Sequence, residues 1–512
     1  MSYLCRVLGN YESFMKEEQS ESYSHVLKYT GIFGGVQGLN IVVGLVRNKL
    51  IALLLGPDGM GLASLFNSTV NFISQATNLG LPFSAVRHVS ELFDSGDELQ
   101  IAHFVKVVRA WALLTALAGM LLCAVAGPFL SSYTFSWGDH TLHFMLLAPA
   151  VGLLAITGGE TAILKGARRL KALAVIQVYS VLAALLISVP VYYFFGQSGI
   201  VPVIVLMALS TMLLTIWYSY RLYPLRLRGA SGLLGEGMGM VRLGIAFVLA
   251  GIMGSGSEMV IRSFLNVNGN LDTVGLYNAG FMLTITYAGM VFSSMEVDYF
   301  PRLSAIGDDS HQLSLTVNRQ IEVSLLIVAP MLAALIVLLP VIVPLLFSAK
   351  FLPMVPMAQV AVFSMYLKAA SLPISYINLA RGNSLGYLLM EALCDVLLVL
   401  LIVVGYHYWG LFGTGVALSA SYVAELAIVL VYMRWKYDYC ISRQVLTYLF
   451  VQLALGLCIY ATVLIPDVLL SWTLGLIGVA ASLSFSLYIL HRKTSLWNAL
   501  VKKLWRRKST ES

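Results

Sequence analysis

Two stretches of this chain, roughly 214 residues apart, carry the same landmarks in the same order, inside sequence apolar enough to cross a membrane. The first stretch reads Arg47-Asn48-Lys49-Leu50, Gly59-Met60-Gly61-Leu62, Ala85-Val86-Arg87, Gly166 with Leu170, and Phe195-Gly196-Gln197-Ser198-Gly199. The second answers with Arg262, Gly275-Leu276, Pro301-Arg302, Gly382 with Leu385, and Trp409-Gly410-Leu411-Phe412-Gly413. Separations are 215 for Arg47/Arg262 and Arg87/Arg302, 214 for Gly61/Gly275 and Gly196/Gly410, and 216 for Gly166/Gly382. One matched pair of glycines is within reach of chance, but five pairs in one register point to a unit copied whole.

The repeat is written in membrane-spanning sequence. Of 512 residues 59% are hydrophobic and only 11% charged, and the mean hydropathy is +0.83, which excludes an ordinary soluble globule. A spanning helix needs roughly 20 mostly apolar residues, and about fourteen such stretches run from near Val42 to near Val479. Six fall in each copy. An even number returns the chain to the side it came from, so the second copy enters the membrane as the first did and the repeat is parallel. The expected fold is an all-α integral membrane protein of about 14 transmembrane helices, with two parallel six-helix lobes and two further C-terminal helices. The divisions expected are an N-terminal tail over 1–28, a first lobe over 29–225, a linker over 226–240, a second lobe over 241–440, the appended spans over 441–491 and a basic tail over 492–512.

Lys and Arg set the orientation. With the N-terminus inside, cytoplasmic loops hold Arg87, Lys106, Arg109, Lys165, Arg168, Arg169, Lys171 and Arg221, while the loops near Ser131, Ser198, Tyr406 and Asp467 hold none; Lys350 is an exception. Both termini are therefore expected in the cytoplasm. The net charge of +7 lies mostly in this asymmetry and in the tail, so it implies anionic lipid headgroups as neighbours, not nucleic acid. Residues 1–28 mix Glu12, Glu17, Glu18 and Glu21 with Lys16 and lack the apolar core of a secretory signal. Five scattered cysteines form no Cys-x-x-Cys, no nucleotide-binding glycine loop is present, and no metal or cofactor is expected.

Charges inside an apolar slab are costly, so those that occur there are informative. Arg47 and Lys49 fall in the outer part of the first span and Arg262 at the corresponding place in the seventh; Arg87 and Arg302 fall at the inner ends of the second and eighth. The planar fork of Arg suits phosphate oxygens, and the other reading of these residues is snorkelling to headgroups. Asn67, Asn71, Ser74, Gln75 and Asn78 share one helical face. Amides donate and accept, which suits a hydroxyl-rich ligand or, equally, hydrogen bonding between helices. Tyr277, Tyr287, Tyr299 and Tyr376 offer faces for sugar stacking, or an interface belt. Glu391 and Asp395 lie four residues apart with Lys368 within reach in the preceding span, as a structural ion pair or an ion-coupling site.

Leu55-Gly56-Pro57-Asp58-Gly59-Met60-Gly61-Leu62, Ala85-Val86-Arg87 and Leu164-Lys165-Gly166 resemble the polysaccharide-export branch of the multidrug/oligosaccharidyl-lipid/polysaccharide carrier superfamily, and within it the O-antigen translocases of the Wzx type. The resemblance covers roughly residues 26–490. It implies lobes arranged in a V and movement of an undecaprenyl-diphosphate-linked oligosaccharide, an O-antigen, capsule or exopolysaccharide repeat unit, from the cytoplasmic to the periplasmic leaflet of the bacterial inner membrane. It also implies cations in the cavity receiving the diphosphate, a role carried onto Arg47, Lys49 and Arg262, with Lys368 a weaker candidate, and a polysaccharide polymerase and ligase as partners. The first span offers no carboxylate before Asp58, a departure from the cation-exporting relatives. A cation-coupled exporter of amphiphilic molecules, using Glu391 and Asp395, is the alternative. A membrane polymerase or ligase is a third reading, disfavoured because those chemistries need an extracytoplasmic catalytic loop and the loops here are short.

Overall fold

The computed structural model describes residues 2–135, 137–224, 233–306 and 309–493, and side chains for nearly all of these from Leu39 onward. Much of the expected linker and nearly all of the basic tail lie outside the described residues. Among the described residues every regular element is helical. The first copy comprises α1 (Ser2–Thr77), α2 (Leu81–Ser95), α3 (Glu98–Val125), α4 (Gly127–Thr134), α5 (Thr141–Gly166), α6 (Leu170–Phe195) and α7 (Ile200–Leu222). After a short α8 (Leu233–Glu236) come α9 (Met238–Asn268), α10 (Leu271–Phe281), a π-helical segment Met282–Tyr287, α11 (Ala288–Ser304), α12 (Ser310–Leu346), α13 (Val355–Ala361), α14 (Phe363–Ala380) and α15 (Ser384–Tyr437). The described residues end with α16 (Arg443–Val463) and α17 (Val468–Lys493).

Helix starts are written locally. Asp97 accepts from the Leu99 and Gln100 amides at 3.0 and 3.1 Å at the head of α3, and Asp309 does the same for His311 and Gln312 at 2.9 and 3.0 Å at the head of α12. Asn270 and Ser442 cap α10 and α16. Each such cap satisfies amides that the helix itself leaves without partners and contributes about 1 kcal/mol.

Among the described residues ten helical runs are long and apolar enough to cross a membrane, or up to eleven if the pair Ala349–Ala361 and Phe363–Ala380, bent by 43°, is one span. Three of these runs, of 39, 52 and 54 residues, are longer than a single span needs, and the reason lies at glycine. Gly56, Gly196 and Gly410 have φ of 68°, 56° and 56°, so the backbone turns at one residue while helical hydrogen bonding resumes on either side. Past two of these breaks the chain doubles back: a Cβ on Gly199 would sit 2.8 Å from Val191 Cγ1, and one on Gly413 would run into the Gly405 carbonyl. Residues eight apart in a straight helix are about 12 Å apart. One continuous run therefore contains several apolar stretches.

The repeat is present in the backbone. Gly196 and Gly410 share φ 56° with ψ −133° and −140°. Ala167 bonds to the Ile163 carbonyl at 2.9 Å as Arg381 does to Ile377 at 3.0 Å, and Arg169 to Leu164 at 2.9 Å as Asn383 does to Asn378 at 2.8 Å. The equivalent of Gly382 (φ 68°) in that turn is consequently Arg168 (φ 53°), which corrects the match with Gly166. Gly166 serves packing instead, since a Cβ there would meet Val89 Cβ at 2.5 Å.

The copies meet along a seam of small residues. The limb of α1 beyond Gly56 lies antiparallel to α9: Ser64 meets Arg262, Phe72 meets Gly256, Gln75 meets Gly251, and Gly80 meets Gly244 backbone to backbone. Without apolar driving force between helices in lipid, such close backbone approach is what holds them together. Large apolar side chains elsewhere face outward, Leu121 at 66% and Phe450 at 75% exposure among them, which suits a protein whose solvent there is lipid. α16 and α17 are joined through Gln452, which accepts from Ser482 Oγ at 2.7 Å and donates to Ser486 Oγ at 2.9 Å, and Lys493 at the end of α17 pairs with Glu322 of α12 at 2.5 Å.

Candidate functional site

Between the second limb of α1, α3, α5 and α9 lies a cavity of about 600 Å³. The amide row supplies one wall through Asn71, Ser74, Gln75 and Asn78, with Thr115 of α3, Gly158 of α5, and Gly251, Gly254, Ser255 and Glu258 of α9 opposite. The volume falls within the usual range for ligand sites of roughly 300–1,000 Å³. Helical periodicity aims the row one way, and the small residues of α9 leave the room: where side chains are missing, space opens. Asn78 donates to Gln75 Oε1 at 2.6 Å and accepts from the Gly80 amide at 2.8 Å, so it also shapes the end of α1. Asn67 is exposed, bonds the Ala63 carbonyl at 2.8 Å, and is not among the lining residues.

Glu258, the charged residue of the lining, carries no signal in the sequence beyond its place in an apolar span, and the sequence reading passes over it. Its Oε2 lies 3.0 Å from Arg262, one turn along α9. Arg262 is 7% exposed and also donates to Ser64 Oγ at 2.8 Å, the Glu258 carbonyl at 3.2 Å and Asn278 Oδ1 at 3.3 Å. Arg47, its expected counterpart, points elsewhere, with Nε donating to Ser188 Oγ at 3.3 Å and a second nitrogen 3.4 Å from the Met207 sulfur. The two arginines are thus not symmetric in space. Asn48 stands one period before Arg262 and reaches toward the second copy, donating to Tyr287 Oη at 2.8 Å. Lys49 donates to the Pro344 carbonyl at 2.6 Å.

The remaining candidates are not among the lining residues, though Asp395 backs onto Gly254 of the cavity wall. Arg87 is exposed and pairs with Glu91 at 2.9 Å on its own helix, and Arg302 is exposed near the end of α11. Lys368 sits 5.9 Å from the Tyr422 ring and within electrostatic reach of Glu425, a carboxylate midway along the limb of α15 beyond Gly410 that accepts from Ser371 at 2.8 Å. Glu391 accepts from Tyr387 at 2.8 Å, and Asp395 faces α9, its Oδ2 3.9 Å from where a Cβ on Gly254 would stand. Tyr277 and Tyr299 are each 2% exposed, and Tyr299 donates to the Pro373 carbonyl at 2.7 Å, so neither offers a face to a ligand. Arg109 and Glu160 form a bidentate pair at 2.8 and 3.2 Å with Ser219 donating to the same carboxylate, a second buried charge unit missed in sequence because its halves come from different helices. Among the described residues no group of three or more His, Cys, Asp or Glu is placed to hold a metal ion.

The lipid III flippase of Escherichia coli (strain K12) is 22% identical to this chain over 425 residues, 78% of this chain and 96% of that protein. Among solved structures, the lipid II flippase MurJ in an inward closed conformation superposes with a TM-score of 0.70 at 13% identity, covering 90% of this chain and 99% of that one. An inward-facing multidrug resistance MATE family transporter of the MOP superfamily gives 0.61 at 15%, covering 78% and 94%. These likenesses establish the fold, a multi-pass membrane architecture shared with MurJ and MATE transporters. The family described as polysaccharide biosynthesis protein matches residues 50–356, well over half of the chain and both sides of the cavity, and to that family this protein belongs.

Proposed function

We propose that the chain is a flippase for lipid-linked oligosaccharide, moving an undecaprenyl-diphosphate-linked O-antigen, capsule or exopolysaccharide repeat unit from the cytoplasmic to the periplasmic leaflet of the bacterial inner membrane by alternating access. It acts as a carrier and not as an enzyme. The observation that carries the reading is the cavity itself: a wall of amides suited to hydroxyls, with the Glu258–Arg262 unit at one side of it. The lipid III flippase relative and the MurJ-like fold support the same substrate class. The polyprenyl tail stays in lipid while the headgroup occupies the cavity.

In this reading Arg262 receives the diphosphate. Arg47 and Lys49 keep their charge for an anion because the groups they bond, a hydroxyl, a thioether and a backbone carbonyl, are neutral. Arg87, Arg302 and Lys368 guide the headgroup from outside the cavity, Asn71, Gln75 and Asn78 meet the sugar with Asn67 at its margin, and Glu391 with Asp395 couples an ion. Both termini lie in the cytoplasm, and polymerase and ligase take the product.

The test is translocation of a fluorescent polyprenyl-diphosphate oligosaccharide in sealed liposomes holding the purified protein, beside an Arg47→Ala/Arg262→Ala variant. Transport by the wild type and not by the variant is expected. Absence of transport by folded wild type, with efflux of amphiphilic cations lost in Asp395→Asn, would replace this reading by the cation-coupled exporter.

A further inference from the structure

Arg262 has no free approach from the cavity. Its three guanidinium nitrogens are all engaged, by Ser64, by the carboxylate and carbonyl of Glu258, and by Asn278. Glu258 lines the cavity with its side chain 48% exposed, whereas Arg262 does not line it and its side chain is 9% exposed. An anion entering this space therefore meets a carboxylate first, and reaches the arginine only when that carboxylate leaves. The unit is one-sided, because Asn48, one repeat before Arg262, is neutral and bonds Tyr287.

We propose that Glu258 is the resident counterion of the substrate site: it occupies Arg262 in the empty carrier and is exchanged for a phosphoryl oxygen of the diphosphate when substrate enters. The inference rests on the flippase reading. An ion pair between residues four apart on a helix is weak, while the guanidinium fork takes two phosphate oxygens side by side. Glu258 swings from the arginine into the cavity it already faces, so the displaced carboxylate is solvated there and not stranded in an apolar core. Exchange in both directions then follows. Without substrate, Glu258 neutralises a cation that would otherwise cross the return step unpaired inside the membrane. With substrate bound, its negative charge stands beside the diphosphate and favours release.

The two roles pull affinity and turnover apart, which a merely structural pair does not. Binding and initial transport of the fluorescent polyprenyl diphosphate are measured in liposomes for wild type, Glu258→Gln, Glu258→Asp, and Glu258→Gln in an Arg262→Ala background, with thermal unfolding of each. Glu258→Gln is expected to bind about ten-fold tighter and to turn over about ten-fold more slowly, Glu258→Asp to return both toward wild type, and the tightening to vanish without Arg262. Wild type that transports, beside Glu258→Gln of unchanged or weaker affinity, overturns the exchange and leaves the flippase reading standing. Folded wild type that neither binds nor moves the probe overturns both.

Discussion

Ser64 and Asn278 stand one repeat apart, 214 residues, and are bonded to each other, Ser64 Oγ donating to Asn278 Oδ1 at 3.0 Å. Equivalent positions of two copies can touch only beside the axis that relates them, so this bond marks the pseudo-twofold of the fold. The contacts around it are reciprocal. A Cβ on Gly61 would press on the Leu271 carbonyl and one on Gly275 on the Pro57 carbonyl, and Pro57 and Leu271 are themselves one period apart. Arg262 breaks the symmetry by adding a charge to Ser64 and Asn278 from one side alone.

Gly275→Ala places a methyl against backbone that has no rotamer with which to yield. A loss of about 1–3 kcal/mol or more is expected, read as a lower midpoint of thermal unfolding in detergent. Gly44→Ala, where nothing lies within 4 Å, is the control and should leave the midpoint unchanged within error. Equal midpoints for the two variants would remove the seam contact as a source of stability.

At Gly196 and Gly410 the surroundings are open, with nothing within 4 Å of an added Cβ, so any cost is in the backbone alone. The pairing of φ 56° with ψ near −133° and −140° belongs to glycine. Gly196→Ala and Gly410→Ala should each cost about 1–3 kcal/mol, and similarly, because the two turns are the same turn. Unfolding midpoints that differ widely between them would contradict that equivalence.

The Arg109–Glu160 pair is enclosed, with side-chain exposures of 10% and 3%, and the guanidinium also lies 4.1 Å from the Tyr220 ring centroid. Removing one partner strands a charge, so Arg109→Met or Glu160→Gln should cost about 3–5 kcal/mol, whereas Arg109→Met with Glu160→Gln should cost clearly less than the two added together. A double-mutant cycle on thermal unfolding measures this, and additive losses would mean that the charges do not act as a pair.

His140 precedes α5 outside the span and is 9% exposed, its ring centroid 4.0 Å from that of Phe135, 4.7 Å from that of Trp137 and 5.2 Å from that of His143. Burial, and then the neighbouring His143, hold its pKa below the ordinary 6.5, with Asp139 opposing. The folded state thus favours the neutral ring, and the unfolded state binds the proton more readily. Stability is complete above about pH 6.5 and is lost as pH falls below it. Unfolding midpoints taken from about pH 7.5 to about pH 5 should fall for wild type and fall less steeply for His140→Phe; parallel profiles would assign the acid sensitivity to other groups.

Much of the fold can be read before any coordinates. The 214-residue register of Gly61/Gly275 and Gly196/Gly410 returns as a shared contact and a shared turn. The Gly166/Gly382 match fails because letters were aligned where backbone angle mattered, and Arg168 takes the left-handed position that glycine takes in the second copy. The amide row is legible because periodicity puts Asn71, Gln75 and Asn78 on one face without help from any other helix. Glu258 is not, since a lone carboxylate in a span looks the same whether it faces lipid, a partner or a cavity.

Composition and period determined by themselves that this chain is a helical, multi-pass, duplicated membrane protein, because apolar length and repetition are properties of the chain taken in order. Only the tertiary structure decided which charges meet. Arg47 and Arg262 look alike in sequence, yet one turns to Ser188 and the other to Ser64, Asn278 and Glu258, because the partners of a side chain are set by the packing of other helices against its own.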